Sequence, residues 1–287
     1  MYYVNMKPKV IAVVGPTASG KTKMAIELAH ELDGEIISAD SRLVYKGFDI
    51  AAAKPTMEER EGIPHYMIDI VEPEFDYSVG NYYDDAKKII FDIVSRGKTP
   101  IVAGGTGLYI RILLEHYNLP RVEANYELRN ELDKKDKEEL LKELEELDSV
   151  TCERLRDANK RRIVRAIEVI KTLNKPISQI EIEKEPEFDV DWKMPVLTSR
   201  QDLYDRIDSR VDKMIEDGLI DETKFLLKKH GRIKNFVCTI GYQEILAYLD
   251  GKWTLEEAVD KLKQHTRNYA KRQLTWFRKN PALEIKI

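Results

Sequence analysis

The chain has 287 residues, 43% hydrophobic and 34% charged, with 47 Lys and Arg against 51 Asp and Glu for a formal charge of −4. These values exclude disordered, collagen-like and low-complexity classes, and no apolar run approaches the roughly 20 residues of a membrane-spanning helix. The mild acidity argues against a protein that coats nucleic acid. Two widely separated cysteines, Cys152 and Cys238, read as ordinary buried thiols rather than a disulfide framework or zinc site. Met1 to Lys9 hold no apolar signal region, so a cytoplasmic location without membrane association is expected.

In chain order, Val10-Ile-Ala-Val-Val14 predicts a buried strand, Gly15 to Gly20 a turn, and the spacing of Met24, Ala25, Leu28 and Leu32 a helix from Lys21. Glu35-Ile-Ile-Ser-Ala39 and Thr99-Pro-Ile-Val-Ala103 predict further strands, the second running into Gly104-Gly-Thr-Gly107 and a helix marked by Leu108, Ile112 and Leu113. Strands alternating with helices imply an α/β fold, a P-loop NTPase-like parallel sheet core wrapped by helices. Past Glu115 the texture changes. Glu127 to Leu147 is mostly Glu, Lys, Asp and Leu, with Leu132, Leu140, Leu141, Leu144 and Leu147 on one narrow stripe. Residues 115–191 therefore read as an all-helical insertion domain, with 1–114 and 192–287 as the core, re-entered by a strand at Pro195-Val-Leu-Thr198. Helices are then expected over Asp202–Asp217, Asp221–Lys229, Gly241–Leu249 and Thr254–Phe277.

Gly15, Pro16, Thr17, Ala18, Ser19, Gly20, Lys21 and Thr22 match G-x-x-x-x-G-K-[ST] between a predicted strand and a predicted helix. Glycines let backbone N–H groups converge on phosphate oxygens, the helix N-terminus adds a favourable dipole, Lys21 neutralises charge and the Thr22 hydroxyl can hold Mg²⁺. An NTPase would also present an acid at a second strand end, yet Pro100 to Ala103 ends in Gly104-Gly-Thr-Gly107. Asn174-Lys175-Pro176-Ile177 lacks the Asp of a guanine-reading motif and reads as a helix-terminating turn. One acid does stand at a strand end: Asp40, facing the phosphate loop if the sheet is parallel. Pattern alone leaves it a carboxylate base, a Mg²⁺ ligand or the N-cap of the next turn.

Taken together, Gly15 to Thr22, Ile37-Ser-Ala-Asp-Ser-Arg-Leu-Val-Tyr45, Gly104-Gly-Thr-Gly-Leu-Tyr109, Ile240-Gly-Tyr-Gln-Glu244 and Ala270-Lys-Arg-Gln-Leu-Thr-Trp-Phe-Arg278 closely resemble the tRNA dimethylallyltransferase family. The resemblance spans nearly the whole chain. It implies transfer of a dimethylallyl group from dimethylallyl diphosphate to N6 of adenine 37 of tRNA, with Mg²⁺ as cofactor and the anticodon stem-loop as partner. The length is similar to that of bacterial members, so a monomeric bacterial-type enzyme is expected, without the C-terminal zinc finger of eukaryotic members.

By the same resemblance Asp40 matches the family's base, Thr106 the threonine that contacts the target nucleotide, and Arg206 an arginine for the leaving diphosphate. Arg206 also reads as an exposed helix arginine opposite Asp202, and Thr106 as a helix N-cap. The tRNA-contacting blocks carry over onto Asp40, Ser41, Arg42, Leu43 and Thr106, onto Arg129, and onto Arg161, Arg162 and Arg165. They continue onto Gly241, Tyr242 and Gln243, then Lys271, Arg272, Gln273, Trp276 and Arg278. From composition alone, Tyr269, Trp276 and Phe277 read as core aromatics of an amphipathic helix. The family commonly shows Asp-Pro before the arginine block where this chain has Asn159-Lys160, so the helix start is least secure there. His30, His65, His116, His230 and His265 have no ligand-like spacing.

Local charge revises the global figure. Lys261 to Lys279 carries +7 and Thr151 to Lys175 carries +5, leaving −16 on the remainder. A small basic footprint on an acidic body suits gripping one RNA arm, with binding that weakens as salt rises. Three other readings stand beside it: a P-loop kinase of a small metabolite, an adenylate isopentenyltransferase, and a nucleotide-dependent RNA-binding switch.

Overall fold

The computed structural model describes residues 7–115, 120, 122–180, 186–283 and 285. The chain divides into two compact units, Met1–His116 with Pro186–Ile287, and Tyr117–Glu185.

The first unit opens with β1 (Lys9–Val14), α1 (Lys21–Glu31), β2 (Gly34–Ala39), β3 (His65–Tyr66), α2 (Val79–Ser95), β4 (Thr99–Gly104) and α3 (Gly107–Leu114). Its strands, with a fifth described below, form one parallel sheet in the order β3-β2-β4-β1-β5. Alternation of side chains along a strand divides β1 between two cores. Ile11 and Val13 pack with Ala25, Ile26 and Ala29 of α1, while Val10, Ala12 and Val14 join Tyr82, Ala86, Ile90 and Ile93 of α2. Both faces are thus covered, as a parallel sheet requires.

The second unit holds α4 (Tyr126–Leu132), α5 (Lys137–Leu147), α6 (Ser149–Leu155) and α7 (Lys160–Leu173). Leu132, Leu140 and Leu144 of the leucine stripe are buried against Ile163, Val164, Ile167 and Ile170 of α7. Asn159 caps α7 by accepting the Arg162 N–H at 3.2 Å, and Asn174 ends it in the left-handed conformation at φ 48°. The turn expected at Asn174 is therefore present.

The first unit resumes with β5 (Asp189–Lys193), α8 (Arg200–Glu216), α9 (Leu219–His230), α10 (Lys234–Val237), α11 (Tyr242–Leu249) and α12 (Leu255–Phe277). Here one sequence expectation is corrected. The returning strand is Asp189–Lys193, paired with Lys9 to Val13, and Pro195 to Thr198 forms no ladder, Val196 being 88% exposed. An edge strand needs only one apolar face, which Val190 and Trp192 supply between Asp189, Asp191 and Lys193. The tail of the span read as insertion therefore belongs to the sheet. The short strand β3 and the helix α2, opened by a reciprocal Ser78–Asn81 cap, go beyond the sequence expectations. Among the described residues no helix is long and apolar enough to cross a membrane.

Candidate active site at the carboxyl ends of the strands

Register fixes the site. Val14 of β1 and Ala39 of β2 both pair with Gly104 of β4, so the loops that follow all three strands leave one edge of the sheet together. The first is the glycine loop. Its backbone takes positive φ at Gly15 (148°), Ala18 (60°) and Gly20 (92°), and Gly20 is the N-cap of α1. With no side chain capping it, the helix N-terminus presents its N–H groups to the loop. Lys21 folds back over the loop, Nζ donating to the Pro16 carbonyl at 2.6 Å.

A single amide from α12 locks this loop to its neighbour. Gln273 accepts the Thr17 N–H at 2.8 Å and donates to the Gly105 carbonyl at 2.9 Å. Close approach is possible because Gly104 and Gly105 lack Cβ: one at Gly104 would lie 2.3 Å from the Ala39 carbonyl oxygen, one at Gly105 2.2 Å from Gln273 Nε2.

These loops wall a cavity of about 570 Å³, lined by Thr17, Lys21, Thr22, Ser38, Asp40 and Arg210 on the phosphate-loop side and by Gln243, His265, Tyr269 and Arg272 on another. Asp40 turns its Oδ1 to accept the Arg42 N–H at 2.8 Å, so it does begin the following turn while still lining the cavity. Burial, with the Arg210 charge beside it, lowers the Lys21 ammonium to about 8, only partly offset by Asp40. Arg210 is itself held below its usual value by burial, and Asp40 acts against that shift. The hydroxyls of Ser19 and Ser38 are buried without a hydrogen-bond partner among the described residues, one in the glycine loop and one on the cavity wall.

Thr106 is the residue before α3, but its hydroxyl does not cap that helix. Instead Oγ1 accepts the Ser41 N–H at 3.1 Å, tying the β4–α3 loop to the segment after Asp40. The Tyr269 phenol is raised to about 12 by burial and by Asp40. Arg42 reaches toward the Asn235 carbonyl and the Thr239 hydroxyl at 3.4 and 3.3 Å.

The remaining predicted residues fall into two groups. Lys271 and Arg272 are exposed on α12 and Arg278 just after it, and Arg161 and Arg162 are exposed at the start of α7. Ser41 and Leu43 line the cavity with Gln243. Others are committed internally. Tyr242 is fully buried and donates its hydroxyl to Glu222 at 2.7 Å, so it is a core residue. Gly241 is buried with φ 105°, its missing Cβ leaving room for Ala51. Arg129 and Arg165 both pair with Glu168, a carboxylate with no exposed surface. Trp276 is 36% exposed, packed on Gly107 with Arg111 over its ring at 5.5 Å, while Phe277 is in the core.

Arg206 is exposed and lines a smaller recess of about 290 Å³ with Ala18 to Thr22 and Arg210. Arg210, one turn further along α8, lines both spaces, and the sequence reading passed over it. Its signal was the i, i+4 repeat Arg206/Arg210 beside buried Leu203 and Ile207. Cys238, expected buried, is exposed and lines the cavity. His265 lines it too, whereas His116 lies outside the described residues. Among the described residues no His, Cys, Asp and Glu cluster has metal-site geometry.

A family model described as IPP transferase matches residues 43–280, and one described as isopentenyl transferase matches residues 8–74. The tRNA dimethylallyltransferase of Acetivibrio thermocellus is 47% identical over 278 residues, 94% of this chain and 88% of that protein. That of Anoxybacillus flavithermus is 44% identical over 274 residues, 95% and 88% of the two chains. The solved tRNA isopentenylpyrophosphate transferase of Bacillus halodurans is 41% identical, with a TM-score of 0.72 over 98% of this chain and 90% of that one. With agreement of sequence and fold over this length, the chain belongs to the IPP transferase family, that of the tRNA dimethylallyltransferases.

Proposed function

We propose that the protein transfers the dimethylallyl group of dimethylallyl diphosphate to N6 of adenine 37 in tRNA, releasing diphosphate, and does so as a cytoplasmic enzyme on the anticodon stem-loop. The observation that carries this reading is the convergence of the glycine loop, Lys21 and Arg210 with the Asp40 carboxylate on one cavity. The C–O bond between the prenyl carbon and the diphosphate breaks, and a C–N bond to N6 forms. Adenine N6 is a poor nucleophile because its lone pair is delocalised into the ring, so a carboxylate that takes its proton assists. Asp40 has the chemistry and the place for that step. The departing diphosphate gathers negative charge where the loop N–H groups, Lys21, Arg206 and Arg210 stand as fixed donors.

The cavity also fits a Mg²⁺ ion. Thr22 and the Ser38 hydroxyl, which has no partner among the described residues, are hard oxygen donors of the kind Mg²⁺ takes, and the ion when bound would neutralise the leaving diphosphate. An adenine stacked in an anticodon loop reaches such a cavity only by flipping out, at a cost of a few kcal/mol. Exposed Lys271 and Arg272 on α12 and Arg278 at its end offer compensating phosphate contacts.

The test is direct. Protein, dimethylallyl diphosphate, Mg²⁺ and unmodified tRNA bearing A37 should yield N6-dimethylallyladenosine in a nuclease digest. Turnover with AMP and none with tRNA would replace the reading by a free-nucleotide isopentenyltransferase. Asp40→Ala should abolish turnover and leave tRNA binding nearly intact; lost binding would make Asp40 structural.

A further inference from the structure

Glu244, in the first turn of α11, has no exposed surface, yet three donors meet its carboxylate. They are the Gly241 N–H at 2.7 Å, Gln243 Nε2 at 2.5 Å and His265 Nδ1 at 2.5 Å. A carboxylate only accepts, so Nδ1 of His265 carries its proton and the ring orientation is fixed from behind. The ring's hydrogen-bonding contacts all run through Nδ1 among the described residues, and its side chain keeps 38% of its surface exposed. His265 lines the same cavity as Asp40. Its Nε2 is thus a polar atom without a partner among the described residues, on a ring that the protein has oriented.

Spacing says what the ring faces. His265, Asn268, Tyr269 and Arg272 stand at i, i+3, i+4 and i+7 on one face of α12 and all line the cavity, so they form one continuous polar wall. His265 and Arg272 stand about 10 Å apart along the helix axis. Desolvating a carboxylate is costly, and Glu244 spends one of its acceptor sites on the imidazole rather than on its own helix.

We propose that His265, positioned by Glu244, contacts the ribose–phosphate backbone of the RNA nucleotide adjoining the target adenine and so contributes to the enzyme's affinity for tRNA. The inference rests on the reading that tRNA enters this cavity. The Nε2 atom accepts from a ribose 2′-hydroxyl when the ring is neutral, or donates to a phosphate oxygen when it is charged. A 2′-hydroxyl contact would be available only from RNA.

The decisive variant is His265→Asn, whose amide nitrogen replaces Nδ1 against Glu244 while Nε2 is removed. Its KM for tRNA should rise about five- to tenfold, the loss of one hydrogen bond. The kcat, the KM for dimethylallyl diphosphate and the melting temperature should stay at wild-type values. A wild-type KM for tRNA, or equal losses for both substrates, would overturn the proposal. Anticodon stem-loops carrying a 2′-deoxy or a methylphosphonate substitution beside A37 identify the partner atom. The His265→Asn penalty should vanish with one of them, and persistence with both overturns the contact. Direct stem-loop binding separates the two readings. Tighter binding by wild type than by His265→Asn, without turnover, keeps the contact and rejects the transferase function, while no RNA binding rejects both.

Discussion

The side-chain carbonyl of Gln273 accepts the Thr17 amide at 2.8 Å, joining residues 256 apart in sequence. Because the same side chain donates to the Gly105 carbonyl, α12 holds the phosphate loop and the β4–α3 loop at a fixed separation. Gln273→Ala leaves both backbone groups without their partner, at about 1–3 kcal/mol. The expected result is a lower melting temperature and a raised KM for dimethylallyl diphosphate, with tRNA affinity little changed. Gln273→Glu keeps the acceptor for Thr17 but sets a carboxylate against a carbonyl, so it should not rescue. Unchanged KM and melting temperature in Gln273→Ala would show that the loop holds its shape unaided.

The two glycines that make room for this arrangement should differ in kind. A Cβ at Gly104 meets the Ala39 backbone, which cannot move without parting β2 from β4. Gly104→Ala is therefore expected to lose about 1–3 kcal/mol of stability. At Gly105 the obstacle is the end of the Gln273 side chain, which can swing aside. Gly105→Ala should then keep more stability than Gly104→Ala while raising the KM for dimethylallyl diphosphate, as Gln273→Ala does. Denaturant midpoints and initial rates on the same two proteins check the ordering.

The pair Lys21 and Arg210 predicts a basic limb in the pH profile. Lys21 is lowered from 10.5 to about 8, first by burial and then by Arg210. Above about pH 8 the free enzyme loses this charge, so kcat/KM for dimethylallyl diphosphate should fall there. Arg210→Ala removes a repelling charge, so the limb should move to higher pH even as the diphosphate binds less well. For stability the sign is opposite to a paired lysine. The unfolded chain binds the proton more tightly, so holding Lys21 charged costs stability below about pH 8, and that cost is relieved as the pH rises from about 8 to 10.5. Lys21→Met is therefore expected to raise the melting temperature at pH 7 while abolishing turnover. A limb unmoved in Arg210→Ala would remove the coupling.

What the sequence made legible follows the range of the forces involved. Val10 to Val14, the glycine loop and α1 are local patterns, and Asp40 followed from the rule that ligands lie beyond the strand ends, so their placement agrees with expectation. Strand β5 was misplaced because an edge strand needs only Val190 and Trp192 on its inner face, a weaker signal than the apolar Pro195 to Thr198 that follows. Residues whose surroundings depend on a distant partner were illegible for the same reason. Tyr242 and Gln273 sit in motif blocks but answer to Glu222 and Thr17, and His265 gained a role only once Glu244 was beside it. Arg129 and Arg165 were likewise read without their partner, because nothing in their own segments announces that Glu168 would be buried between them.

That burial sets Arg129 and Arg165 apart from Arg161 and Arg162. Glu168 accepts from the Asn125 N–H at 2.7 Å, from Arg129 at 2.9 and 3.0 Å and from Arg165 at 2.6 Å. Burial alone would push its carboxyl up, but these donors hold it below the usual glutamate range, so the cluster's stability is present above that range and lost as the pH falls through it. Removing the carboxylate in Glu168→Ala releases α4 from α7 and leaves the Asn125 N–H and two half-exposed arginines without their acceptor, at about 1–3 kcal/mol. Proteolysis within residues 117–185 should accelerate accordingly, and Arg165→Ala should show the same effect in weaker form. Arg161 and Arg162 are exposed, with no carboxylate against them in the described structure, so under the proposed function they can reach RNA. Arg161→Ala and Arg162→Ala should leave the melting temperature alone, weaken tRNA binding, and each reduce the slope of log affinity against log salt by about 0.7–0.9. If instead Arg165→Ala changed the salt slope and left proteolysis at the wild-type rate, the division of labour would be the reverse.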